Sequence, residues 1–313
     1  MGEPRSVTDP SRAGSAIRLL AGVSIAYVLS CATANPTMST AAVAAQWSPA
    51  AVAEEVELRS DSATSIRGWF LPGRERAGAA LLLHGHRSSH RSMLGRARFL
   101  HRAGYSVFLI DFRGHGRSSG GPITIGAAES RDAHAALAYL RRRLPNDRVA
   151  VIGASMGGAA SLLGPTPLAA DAFVLESVYA TIDDAVYGRA RTWLGPLGSA
   201  LAPLYLRHWL PRSGVSAKEL RPIDRVAELH VPAYVMSGTD DRYTSLDEAR
   251  ALFERLRGPR EFWAVEGAGH GDLYRVAGAE YERRILAFLG RHVRSEVAAE
   301  EDSVSWRPAA TRE

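Results

Sequence analysis

The hexapeptide Gly-Ala-Ser-Met-Gly-Gly, residues 153–158, constrains this chain more than any other stretch. A short apolar run ending at Ile152 precedes it and a segment of small residues, Ala159 to Leu163, follows, so it reads as strand, tight turn and helix. Within it Gly153, Ser155 and Gly157 form the pattern G-x-S-x-G. A serine placed on a strained strand-to-helix turn leaves no room for side chains two residues before and after it, which is what the two glycines supply. Such a turn pushes Ser155 outward. In 313 residues with 29 glycines the pattern can also arise by chance, so its meaning depends on whether partners for the serine follow.

Further apolar runs at 79–83, 106–110, 172–175 and 233–237 lack polar alternation and read as strands buried on both faces. Val56–Arg59 and Ile66–Leu71 read as an N-terminal antiparallel hairpin. Helical patterns occupy 92–102, 126–143, 245–257 and 274–291, and a last strand is expected over 261–265. Strands alternating with helices predict an α/β fold with a mostly parallel, doubly wound sheet. More than fifty residues separate the strands at 172–175 and 233–237, and they are rich in Trp, Leu and Pro. A plain connection is shorter and more polar, so a helical cap insertion over about 178–228 is expected.

A serine hydroxyl becomes a useful nucleophile only when a base takes its proton, and the base needs an acid to hold its tautomer. Of the histidines beyond Ser155, His230 precedes a strand, His208 lies in the cap, and His292 closes a helix. His270, in Gly-Ala-Gly-His-Gly-Asp directly after the strand at 261–265, falls on a loop at the sheet's C-terminal edge. The strand at 233–237 runs into Gly-Thr-Asp-Asp, which offers both Asp240 and Asp241 as the acid.

With these residues in place the chain resembles the α/β-hydrolase superfamily over roughly Val56 to His292. The resemblance rests on LLLHGH (81–86), DFRGHGRS (111–118), GASMGG and GTDDRYT (238–244), in the family's order. It is looser toward serine-aminopeptidase-like and acyl-thioesterase-like members. It implies an α/β-hydrolase fold and selects Asp241 as the acid, with Asp240 as a solvent-facing neighbour and Glu176 as a minor alternative. It also implies an oxyanion hole built from the backbone N–H groups of Met156 and His86. His84 would then be structural, His115 non-catalytic, and Asp111 and Arg113 would fix loops beneath the site.

The reaction so implied is two-step acyl transfer by Ser155, His270 and Asp241, with no metal or organic cofactor. Small-molecule carboxylic esters are the first substrate class. A thioesterase and an aminopeptidase-like amide hydrolase are alternatives, and a catalytically silent hydrolase-fold binding protein is the rival from another class. In the cap, Trp193, Leu194, Leu197, Leu201, Leu204, Tyr205 and Trp209 either meet an apolar acyl or alcohol group or pack the cap on the core.

The formal charge is +5, 38 basic against 33 acidic residues, and the basic residues are scattered rather than gathered into a nucleic-acid-binding patch. One cysteine, Cys31, excludes an intrachain disulfide framework. Arg12 and Arg18 precede an apolar run from Leu19 to Leu29, and Cys31 follows at once. Residues 1–34 therefore read as a signal peptide, lipoprotein leader or membrane anchor, with Cys31 lipidation or Ala32-Thr33-Ala34 cleavage as outcomes. Membrane attachment and a cell-envelope or secreted location follow as expectations. The remaining map is a linker over 35–53, the hydrolase-like domain over 54–294, and a charged tail over 295–313 expected to be disordered.

Overall fold

In the computed structural model, which describes residues 53–60 and 64–294, the chain enters its fold through the expected antiparallel pair, β1 (Glu54–Arg59) and β2 (Ser65–Leu71). Then come β3 (Ala79–Leu83), α1 (Leu94–Arg102), β4 (Ser106–Asp111), α2 (Glu129–Arg143), β5 (Val149–Ala154) and α3 (Met156–Leu162). The chain continues through β6 (Ala172–Glu176), α4 (Ile182–Ser213), β7 (Ala233–Gly238), α5 (Leu246–Arg255), β8 (Arg260–Val265) and α6 (Leu273–His292). The leader and the tail, and all but the last residue of the linker, lie outside the described residues.

One eight-stranded sheet results, in the order β1-β2-β4-β3-β5-β6-β7-β8. Only β2 pairs antiparallel with β1 and β4, while the other neighbours are parallel. Strands β3 to β7 are buried at every residue, as continuous apolar runs require when helices cover both faces. The strand order reverses between β3 and β5. That switch point opens a crevice at the C-terminal ends of these two strands, the usual position of a site in an open α/β sheet.

Boundaries depart from the sequence reading where side chains capture the backbone. A helix from residue 126 was expected, but α2 begins at Glu129 because that buried carboxylate accepts from the N–H groups of Thr124 and Gly126 at 2.9 and 2.8 Å. It also accepts from the Thr124 hydroxyl at 2.7 Å, which holds the preceding loop non-helical. Helix α5 starts where Ser245 and Glu248 cap each other reciprocally, with bonds of 3.2 and 3.0 Å.

The cap is helical, but it is folded at one glycine. Helix α4 breaks at Gly195 (φ 57°, ψ −142°), and the chain turns back so sharply that a Cβ on Gly198 would lie 1.9 Å from the Ala190 carbonyl oxygen. Two arms, 182–194 and 196–213, thus form a tight hairpin. Its buried residues are Ile182, Gly198, Ala202 and Leu206, with Trp209 packed partly against the core. Trp193, Leu194, Leu197 and Leu204 face solvent. For these four the packing expectation fails, since each is more than half exposed.

Candidate active site

Ser155 sits between β5 and α3 with φ 50° and ψ −116°, a backbone geometry that costs a non-glycine residue about 1–3 kcal/mol. Surrounding bonds hold it there. Its N–H donates to the Glu176 carbonyl at 2.7 Å and its own carbonyl accepts from the Ala159 N–H at 3.0 Å. The glycines allow the required approach. A Cβ on Gly153 would lie 2.6 Å from the backbone of Gly158, and one on Gly157 would lie 2.3 Å from the Leu83 carbonyl oxygen.

His270, on the loop between β8 and α6, reaches this turn. Its Nε2 lies 2.9 Å from Ser155 Oγ, and its Nδ1 lies 2.9 Å from Asp241 Oδ2 and 3.2 Å from Oδ1. A carboxylate only accepts, so the imidazole carries its proton on Nδ1 and leaves Nε2 to accept from the Ser155 hydroxyl. Asp241 follows β7, and its side chain is fully buried. Its Oδ1 also accepts from the N–H groups of Tyr243 and Thr244 at 2.9 and 3.0 Å, which lock the carboxylate's direction. Asp240 is exposed, and the bonds from its backbone N–H to Ala268 and from the Thr239 hydroxyl to its carboxylate leave it apart from His270.

Glu176 stands elsewhere. At the end of β6 its buried carboxylate accepts from Arg96 Nε at 2.9 Å, from a second guanidinium nitrogen of Arg96, and from the Tyr281 hydroxyl. It is a brace under Ser155, whose N–H its carbonyl accepts, rather than a partner of His270.

The loop after β3 lies against the same turn. A Cβ on Gly85 would be 3.5 Å from Ser155 Cβ, which puts His84 to His86 beside the serine at the sheet's switch point. His84 is fully buried; its Nδ1–H donates to the Gly85 carbonyl at 2.8 Å and its Nε2 accepts from the Phe112 N–H at 3.1 Å. Burial, with the neighbouring His115 adding to it, lowers its pKa to about 4, so it is a neutral clamp between two loops. His115 does the same one loop further on, donating to the Arg113 carbonyl at 2.8 Å and accepting from the Arg87 N–H at 3.1 Å. The His86 ring, edge-on to His115, has its pKa lowered to about 3 by burial and then by the charge of Arg189.

Asp111 and Arg113 take the loop-fixing positions. Asp111 Oδ1 accepts from the His90 N–H and ring at 2.7 and 2.9 Å, and Oδ2 accepts from the Arg117 N–H at 2.9 Å. Burial alone would raise its pKa, but His90 outweighs it and holds the carboxyl below its usual range. The Arg113 N–H donates to Asp132 at 3.0 Å.

Two neighbours of the site escaped the sequence reading. The Tyr243 ring meets His270 edge-on with centroids 5.3 Å apart, and the Arg189 guanidinium lies 4.5 Å above the Tyr243 ring. Tyr243 was within reach of inference, being two residues past the acid in GTDDRYT. Arg189 carried no signal, because tertiary contacts bring this arm of the cap to the site: Gly188 packs on the Tyr243 carbonyl and the Thr192 hydroxyl donates to the Arg242 carbonyl at 2.9 Å. Among the described residues, no three His, Cys, Asp or Glu side chains converge as metal ligands would.

Comparison with known proteins agrees with this architecture. The family model described as serine aminopeptidase, S33, matches residues 74–221. The α/β-hydrolase domain-containing protein WAV2 of Arabidopsis thaliana is 27% identical over 253 residues, covering 76% of this chain and 79% of WAV2. An esterase from Pyrococcus furiosus, Pf2001, superposes with a TM-score of 0.62 at 24% identity, covering 79% of this chain and 96% of the esterase. The chain has the α/β-hydrolase fold and is similar in sequence to members of that superfamily. An uncharacterised protein of Mycobacterium tuberculosis is 28% identical over 222 residues, covering 70% of this chain and 72% of its own length. The S33 match includes the β3 loop and the Ser155 turn and ends before Asp241 and His270, which the folded geometry brings to the serine.

Proposed function

We propose that this hydrolase cleaves small-molecule carboxylic esters through an acyl-enzyme, with Ser155 as nucleophile, His270 as general base and acid, and Asp241 as the orienting carboxylate. The observation that carries the reading is the unbroken chain from the Ser155 hydroxyl through His270 to buried Asp241, at 2.9 Å per link. His270 Nε2 takes the serine proton as Oγ attacks the acyl carbonyl. The carbonyl oxygen becomes an oxyanion facing the N–H groups of Met156 and His86. His270, now protonated and stabilised by Asp241, gives its proton to the departing alcohol. Water then enters, loses its proton to His270 and attacks the acyl-serine, which releases the acid and restores the hydroxyl.

Neutral His84 and His86 suit this arrangement, since cations there would repel protonated His270. The S33 match favours one second reading, hydrolysis of an N-terminal peptide bond by the same residues. A panel of p-nitrophenyl esters of graded acyl length, acyl thioesters and aminoacyl anilides separates the classes. Ser155→Ala should lower turnover on the best substrate by on the order of 10⁴-fold or more and abolish labelling by a fluorophosphonate. Near-normal hydrolysis by that variant would overturn the assignment, and unreactive Ser155 in folded wild-type protein would favour a binding role. We also propose that residues 1–34 direct the chain to the cell envelope, which the mass of the mature N-terminus would test.

A further inference from the structure

The cap hairpin carries a surface that the hydrolytic site does not use. Among the described residues seven large hydrophobic side chains are exposed, and six of them lie in α4. Trp193 (71% exposed), Leu194 (54%) and Leu197 (62%) surround the Gly195 turn at the hairpin's tip, and Leu204 (58%) continues the face of Leu197 two helical turns on. Single exposed apolar residues are ordinary; a cluster of this size marks a surface that is covered in use.

Charge narrows what covers it. Residues 185–218 contain five cations, Arg189, Arg191, Arg207, Arg212 and Lys218, and no acid. At about 100° per residue, Arg207 and Arg212 fall on either side of the stripe formed by Leu197, Leu201 and Leu204. A second copy of the chain joined across a two-fold axis would set these cations against themselves, with no carboxylate in the stretch to receive them. The chain's own apolar run at 19–29 bears no charge and leaves them equally unmatched. A bilayer with anionic headgroups answers both halves of the surface. Leucine enters the acyl boundary, tryptophan suits the interface, and guanidinium groups pair with phosphates.

We propose that the hairpin tip, residues 193–197, docks on anionic phospholipid membranes by inserting Trp193, Leu194 and Leu197 below the headgroups. The insertion is shallow, since among the described residues no helix is long and apolar enough to cross a membrane. Gly188 and Arg189, on the same arm, rest on Tyr243 beside His270 about one helical turn before Trp193. Docking therefore brings the mouth of the site to the lipid surface. The proposal is independent of the reaction assigned to Ser155, and its test reads position rather than turnover.

The experiment uses the full chain carrying Cys31→Ser and Leu197→Cys, labelled at the new thiol with a nitrobenzoxadiazole dye, beside a control labelled through Arg142→Cys on α2. Vesicles of phosphatidylcholine with phosphatidylglycerol should shift the tip dye's emission to the blue, vesicles of phosphatidylcholine alone should do so far less, and the control should not move. Adding Trp193→Ser and Leu194→Ser should weaken the binding that produces the shift by ~100-fold or more, the loss of two buried large side chains. No shift, or an equal shift at the control, overturns the proposal. So does emission already blue without lipid. If that emission depends on protein concentration, a second copy covers the tip; if it does not and Leu20→Asp with Val23→Asp releases it, the leader does.

Discussion

Arg96→Met should remove several kcal/mol of stability by stranding Glu176. Both side chains are almost wholly buried, with 5% of Arg96 and none of Glu176 exposed, and they are joined through two guanidinium nitrogens. Breaking one side of a buried pair typically costs about 3–5 kcal/mol, because the remaining charge has neither water nor partner. Counting the two lost charge-assisted bonds at about 1.5–3 kcal/mol each leads to the same range. The Tyr281 hydroxyl keeps its bond to Glu176 and places the expectation nearer the lower figure. With a urea slope of ~2.5 kcal/mol/M, the unfolding midpoint should fall by ~1–2 M at pH 7. Arg96→Met combined with Glu176→Gln should recover much of that loss by removing the stranded charge. Because the Glu176 carbonyl accepts the Ser155 N–H, the single variant should also slow fluorophosphonate labelling under folding conditions. A single variant that loses less than ~1 kcal/mol, or a double variant no better than the single, would show that the pair is not a brace and that this reasoning is wrong.

Asp241→Asn should lower kcat by roughly 10⁴-fold by favouring the wrong imidazole tautomer, while Asp240→Asn should change it by less than ~3-fold; steady-state ester kinetics distinguish them, and the reverse order would move the acid to Asp240. His84, with its pKa lowered to about 4 from 6.5, resists protonation in the folded chain, so its share of stability is complete above pH 6.5 and lost as pH falls toward 4. That share is about 3 kcal/mol in all, and about half of it should be lost in urea midpoints between pH 6.5 and 5, where most carboxylates are still ionised, together with a His84 ring that stays neutral by NMR at pH 5.5. A protonated ring at that pH would refute it. Gly157→Ala drives a methyl group into the Leu83 carbonyl, so it should cost about 1–3 kcal/mol and cut the rate of Ser155 labelling at least tenfold; an unchanged rate would mean that the turn tolerates a side chain there.

Much of the molecule was legible in one dimension because its signals are local. Short apolar runs with no alternation, followed closely by turn residues, read as strands covered on both faces, and this placed β3 to β7 to within a residue or two. G-x-S-x-G specified a turn through steric exclusion, which depends on residues within two positions of Ser155. His270 was picked out by following a strand directly. Between Asp240 and Asp241 local chemistry offered no choice, since both are acids on one loop. The tertiary structure turns Asp241 inward onto His270 and leaves Asp240 in water.

The long-range contacts had no local signature at all. Arg96 and Glu176 are 80 positions apart, Glu176 and Tyr281 are 105 apart, and nothing near any of them announces the others. The cap shows the limit most clearly. Its Trp and Leu content made a helical, partly buried insertion a sound expectation, because hydrophobicity states how strongly a side chain avoids water but not which way it points. Direction was settled by Gly195 and Gly198, two residues without side chains, which fold the hairpin so that Leu206 is buried while Trp193, Leu194, Leu197 and Leu204 stand exposed.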